Sequence, residues 1–357
     1  MTQTNETSAA HPTRAELVAG LVSAMQNPPR SPILRSPADD GIAFEDIYFP
    51  AADGITIEGW FIPGDSDKLI IANHPIWANR YGFPGHLKPY SDAWEASGNN
   101  IEVNFMPDYK HLHEAGYNIL AYDLRNFGQS AAGSGGVIGN GIREYRDVIG
   151  SLRYVRSRSD LKNLKLGLLS RCCGMNATMV AMAKHREEFD DVRAIVAPQP
   201  ISLSSFYRTI LGHMGMPDAL PEVADALRRA TSMELKDMDM PQYASAVDVP
   251  TLLLQVRDDT LTTPADVQAM FDAMPTDQKD LIWIDGTNRR FDGYNYLPNN
   301  PKAHARLVRS LHQLTNRAGP AATRPPNYNW RTSCPKSKTR SQSYSGKPRR
   351  SPGARLK

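Results

Sequence analysis

Residues 164–184 read LKLGLLSRCCGMNATMVAMAK, and the order of their parts decides the fold. LKLGLL is an apolar run of strand type; from Gly174 onward the apolar positions recur at helical spacing. Only Ser170, Arg171, Cys172, Cys173 and Gly174 separate the two, so a strand enters a helix through a very tight turn. The central residue of such a turn sits in strained backbone, and the residues two before and two after it must be small. Centred on Cys172, the flanks are Ser170 and Gly174. Centred on Cys173 they are Arg171 and Met175, and on Ser170 they are Leu168 and Cys172. Only Cys172 meets the rule. The helix N-terminus that begins at Cys173 favours a thiolate, and the Cys173 backbone N–H can face an oxyanion. The plainer alternative is a small cysteine buried beneath a helix.

Outward from this turn, strand and helix patterns alternate. Helix 108–115 precedes strand 118–122, helix 141–157 precedes strand 164–169, and helix 174–184 precedes strand 192–197. Strand 251–256, helix 264–273, strand 280–284 and helix 302–316 follow. Before them, AFEDIYFP (43–50) and ITIEGWFIP (55–63) flank the turn residues AADG and read as an antiparallel pair; KLIIA (68–72) reads as a buried strand. The expected architecture is a mostly parallel sheet with helices on both faces. Apolar spacing also predicts a helix over 13–26. Segments 73–107 and 199–249 exceed the usual connection of about 2–6 residues, which marks them as functional. The expected organisation is an N-terminal extension with a helix (1–42), a core (43–198 and 250–316), an inserted helical cap (199–249) and a basic, disordered tail (317–357).

The strand–turn–helix around Cys172 resembles the nucleophile elbow of the α/β-hydrolase superfamily, and within it the dienelactone-hydrolase-like members that use Cys in place of Ser. KLIIANHP (68–75), GYNILAYDLRNFGQS (116–130) and VPTLLLQVRDDTLTTPADV (249–267) resemble the oxyanion-loop strand, the Asp-x-Arg-x-x-Gly-x-Ser turn and the acid-bearing loop of that fold. The resemblance implies a catalytic acid at Asp259, with Asp258 as the neighbouring candidate; a pair of aspartates starting a helix is the plainer account. It also implies a His in a Gly-x-x-His turn after the last strand, where this chain has Gly286-Thr287-Asn288-Arg289. Arginine is not a general base. His74, in the loop after KLIIA, is the candidate base by position; a structural His bonded to backbone is the alternative. Pro75 has no N–H, so Ile76 is the second oxyanion donor beside Cys173. Arg289 would pair with Asp259, hold a Cys172 thiolate or bind a substrate carboxylate, and Trp77 would line an acyl pocket.

Composition narrows the classes further. Residues 318–357 hold ten Lys or Arg and no acid, which leaves residues 1–317 with 31 basic and 38 acidic groups, or −7. The basic tail is read as solvated rather than as a nucleic-acid or lipid arm. Three cysteines, two adjacent, form no disulfide framework and no zinc-ligand spacing. With no signal-peptide pattern and no membrane-length apolar run, a cytoplasmic, soluble protein is expected. The expected function is a cofactor-free, Cys-dependent hydrolase of a small ester, lactone or thioester, without nucleic-acid or membrane partners. The alternative is a catalytically inactive member of the fold that binds a small ligand or a protein.

Overall fold

A computed structural model describes residues 12–300. The expected helix 302–316 and tail 317–357 lie outside the described residues. Ten strands form two sheets: β1 (Glu45–Pro50), β2 (Thr56–Ile62), β3 (Lys68–Asn73), β4 (Gly82–Pro84), β5 (Glu102–Asn104), β6 (Asn118–Tyr122), β7 (Lys165–Ser170), β8 (Val192–Pro198), β9 (Thr251–Val256) and β10 (Lys279–Ile284). The main sheet has eight strands in the order β1-β2-β6-β3-β7-β8-β9-β10. It is antiparallel at β1–β2 and β2–β6 and parallel from β6 to β10. The pair β4–β5 is a separate antiparallel ladder inside segment 73–107, where the sequence predicted no strand.

Helices cover both faces, which is why the central strands read as nearly unbroken apolar runs. Every residue of β3 is buried. Alternate side chains go to opposite layers: Leu69 and Ile71 pack with Val148, Leu152, Met179 and Val267, whereas Ile70 and Ala72 pack with Phe105, Tyr109 and Leu112. The first layer thus receives α3 (Tyr145–Ser157), α4 (Cys173–Lys184) and α8 (Pro264–Ala273); the second receives α2 (Met106–Glu114). The helix expected from 141 begins at Tyr145, because the Glu144 carboxylate accepts the N–H groups of Gly139 and Gly141 and shapes a turn there.

The N-terminal helix α1 (Arg14–Ser23) starts with a reciprocal capping box between Thr13 and Glu16. Val18 and Val22 put it in the first core layer. Segment 199–249 is helical, with α5 (Leu203–His213), α6 (Leu220–Thr231) and α7 (Pro241–Ala244), and α1 packs on α6. Two short helices, α9 (Arg290–Tyr294) and α10 (Tyr296–Asn299), follow β10. No described helix is long and apolar enough to cross a membrane.

Strand order reverses around β3, whose neighbours are β6 on one side and β7 on the other. Open parallel sheets form their ligand crevice at such a switch point, beyond the carboxyl ends of the strands. Here those ends deliver residues 74–77 and Arg171–Cys172.

Candidate active site

Cys172 connects β7 to α4 with φ 49° and ψ −112°, a conformation that a side-chain-bearing residue adopts only under constraint. The constraint is visible on both sides. Its N–H donates to the Pro198 carbonyl at 2.9 Å and the Arg171 N–H donates to the Asn73 carbonyl at 2.9 Å, which ties the turn to β8 and β3. A Cβ at Gly174 would lie 2.5 Å from Asn73 Cβ, so only glycine fits there. Small Ser170 accepts a 2.7 Å bond from the Asn73 amide. The two small flanks expected from sequence are therefore required by the close approach of β3. The Cys173 side chain turns into the core, where burial pushes its thiol well above the ordinary range; its N–H, at the first position of α4, has no intrahelical acceptor.

Cys172 shares one cavity with the Arg290 guanidinium and the Tyr294 ring. Arg290 is 3% exposed and fully engaged. Its Nη1 donates to Asp259 Oδ2 at 2.6 Å, its Nε to the Tyr294 hydroxyl oxygen at 2.9 Å, and its Nη2 to the Gln199 carbonyl. Asp259 also accepts from Gln255 Nε2 and the Leu261 N–H, each at 2.9 Å. Burial opposes the Arg290 charge, but Tyr294, Asp259 and Cys172 outweigh it and hold the guanidinium protonated well above the usual arginine range. Burial likewise raises the Tyr294 phenol well above the tyrosine range, against the pull of Arg290. Asp258 is exposed, and of the two aspartates it is Asp259 that meets Arg290.

Two expectations change here. The arginine paired with Asp259 is Arg290, not Arg289: α9 begins at Arg290, which turns that side chain inward, and leaves Arg289 outside, paired with Asp292 at 2.9 Å. His74 is not placed as a base for Cys172. Its Nε2 accepts the Leu124 N–H at 2.8 Å and its Nδ1 contacts the Pro75 carbonyl at 2.6 Å, so both ring nitrogens serve the backbone. Burial lowers its pKa to about 4, and the ring stays neutral at physiological pH.

Cys172, Arg290 and Tyr294 line a small apolar cavity together with Ile76, Trp77, Phe206 and Leu261, and among the described residues no histidine lines it. Trp77, Phe206 and Leu261 also line a larger groove of about 1130 Å³ that reaches α1, α5 and Arg289. Trp77 has φ 63°, and its indole N–H donates to the Ala24 carbonyl just past α1 at 3.3 Å. Its ring meets Trp94 at 5.5 Å and Phe206 at 6.3 Å. Ile76 and Trp77 thus stand beside the sulfur, while Arg289 stands at the outer groove.

No protein-family model matches the chain, and no curated protein does. Solved structures do match. An esterase from Pyrococcus furiosus superposes with a TM-score of 0.60 at 20% identity, over 82% of this chain and 98% of its own. An α/β hydrolase from Penicillium sp. sh18 gives 0.51 at 15% identity, over 77% and 99%. An acetyl xylan esterase from Paenibacillus sp. R4 gives 0.51 at 18% identity, over 75% and 84%. The chain has the α/β-hydrolase fold.

Within the α/β-hydrolase fold of this chain, sequence reasoning found the elbow and the acid-bearing loop but missed Arg290, Tyr294 and Gln199. A signal for two of them was present: Arg290 and Tyr294 are four residues apart, which places them on one face of a helical turn. Nothing local marks Gln199, whose φ of 59° aims its carbonyl at Arg290.

Proposed function

We propose that this protein is a cysteine-dependent hydrolase of an ester, lactone or thioester that works through an acyl-enzyme. The observation that carries the proposal is Cys172 in a positive-φ elbow, with its sulfur on an apolar cavity at the first turn of α4. The sulfur attacks the substrate carbonyl carbon, and the N–H groups of Cys173 and Ile76 receive the developing oxyanion. Arg290, anchored by Asp259, holds the thiolate by its charge. The groove lined by Trp77 and Phe206 takes the apolar part of a small acyl substrate. Neither cofactor, nucleic acid nor membrane enters this scheme, and the free thiol suits the reducing cytoplasm.

A second reading is a non-catalytic ligand-binding protein. It is favoured by one observation: the position facing Cys172 holds Arg290 rather than a base, and His74 is committed to backbone. Intact-protein mass after mixing with activated esters and thioesters, alongside Cys172→Ala and with product release followed, separates the two. Hydrolysis predicts an adduct and turnover that both vanish in the variant. No adduct and no turnover above the folded variant would leave only the binding reading.

A further inference from the structure

Hydrolysis of a thioester intermediate needs a group that takes a proton from water, and neither Asp259 nor His74 is free to do so. Both Asp259 oxygens accept hydrogen bonds from Gln255, Leu261 and Arg290, and both His74 ring nitrogens meet backbone. Among the described residues that line the cavity with Cys172, Tyr294 carries the one hydroxyl. We infer that Tyr294 is the proton-transfer residue of this site, first protonating the departing group and then, as phenolate, taking a proton from the water that hydrolyses the Cys172 acyl-enzyme.

The geometry supplies each requirement. Arg290 Nε donates to the Tyr294 oxygen at 2.9 Å, so the hydroxyl proton points away from the guanidinium and is free for the sulfur or for a group bound next to it. Tyr294 is 3% exposed, so bulk water does not compete for that proton. The fixed Arg290 charge, held by Asp259, stabilises a phenolate once it forms.

The bonds and protons balance. The Cys172 thiolate forms a bond to the carbonyl carbon, the bond to the leaving oxygen breaks, and that oxygen takes the Tyr294 proton. The leaving oxygen therefore departs as an alcohol. Water then bonds to the acyl carbon, its proton goes to the phenolate, and the carbon–sulfur bond breaks. Thiolate and phenol are regenerated, with an acid and an alcohol as products.

The inference rests on the acyl-enzyme reading, and the test separates the two. The lifetime of the acyl-enzyme is followed by intact mass after a pulse of an alkyl ester, whose leaving oxygen takes the Tyr294 proton and leaves the phenolate in place. Tyr294→Phe should acylate more slowly than the native protein and hold the adduct about 10²–10⁴-fold longer. Excess hydroxylamine, which attacks without a base, should discharge the trapped acyl group. A p-nitrophenyl ester, whose leaving group departs without a proton, should acylate both proteins at the same rate. Equal adduct lifetimes in both proteins would overturn the role of Tyr294 and leave the acyl-enzyme reading standing, whereas no adduct on the native protein would remove both. If Tyr294→Phe fails to fold, Tyr294→3-fluorotyrosine keeps the shape and the Arg290 hydrogen bond while weakening the base. A severalfold longer lifetime supports the inference, and an unchanged one overturns it.

Discussion

At Cys172 the chain accepts a strained backbone because three strands fix it, and the residues that permit this, Ser170 and Gly174, are adjacent in sequence. That made the elbow legible. His74 was legible as a residue but not as a role, because its partners, Pro75 and the distant Leu124, are set by how β3 and β6 lie side by side. Its burial has a measurable consequence. The folded pKa of about 4 lies below the ordinary value of 6.5, so the unfolded chain binds the proton first. The associated stability is complete above pH 6.5 and is lost as the pH falls toward 4, by about 3 kcal/mol across that window. Urea midpoints measured from pH 7.5 to 4 should show this loss, and His74→Gln should flatten that part of the profile. The two aspartates of the acid loop make a second prediction. Asp259→Asn leaves the buried Arg290 without its counter-charge and should cost about 3–5 kcal/mol, whereas Asp258→Asn, on the surface, should stay within about 0.5 kcal/mol. Equal urea midpoints for the two variants would contradict the assignment.

At the scale of elements, the short helix α9 decides what faces the sulfur. One residue of register at its start sends Arg290 inward and Arg289 outward, and a sequence pattern does not fix a helix start to one residue. Periodicity did locate α8 and β9 to the residue, because a proline marks the start of each, Pro264 and Pro250. Helix α1 contributes to the groove as well as to the core: Leu17, Leu21 and Ala24 line it, while Val22 is 4% exposed beneath. Val22→Asp puts an unpaired carboxylate into that contact and should release α1. The expected result is increased binding of an apolar fluorescent dye and faster cleavage near Ala24 by a protease, with the main thermal transition retained. An unchanged cleavage pattern would show that α1 holds without this contact.

For the molecule as a whole, the sheet order brings the carboxyl ends of β3, β7, β8 and β9 to one crevice, and helices and loops far apart in the chain roof it. The groove is the product of that roof: α1, segment 73–107 and α5 each supply a wall. Its apolar lining predicts that affinity rises with acyl chain length until the groove is filled. Phe206→Ala should raise KM for long acyl esters more than for acetyl esters while leaving kcat for the acetyl esters within a few-fold; equal effects on both would place the acyl chain elsewhere. The sequence by itself determined the parallel sheet, the tight turn at Cys172 and the acid loop, since each depends on residue types within a few positions of one another. Only the tertiary structure decided that Arg290 and Tyr294 face the sulfur, that His74 serves the backbone and that α1 joins the groove. These depend on contacts between residues tens to hundreds of positions apart, and strand order and packing set those contacts, not local spacing.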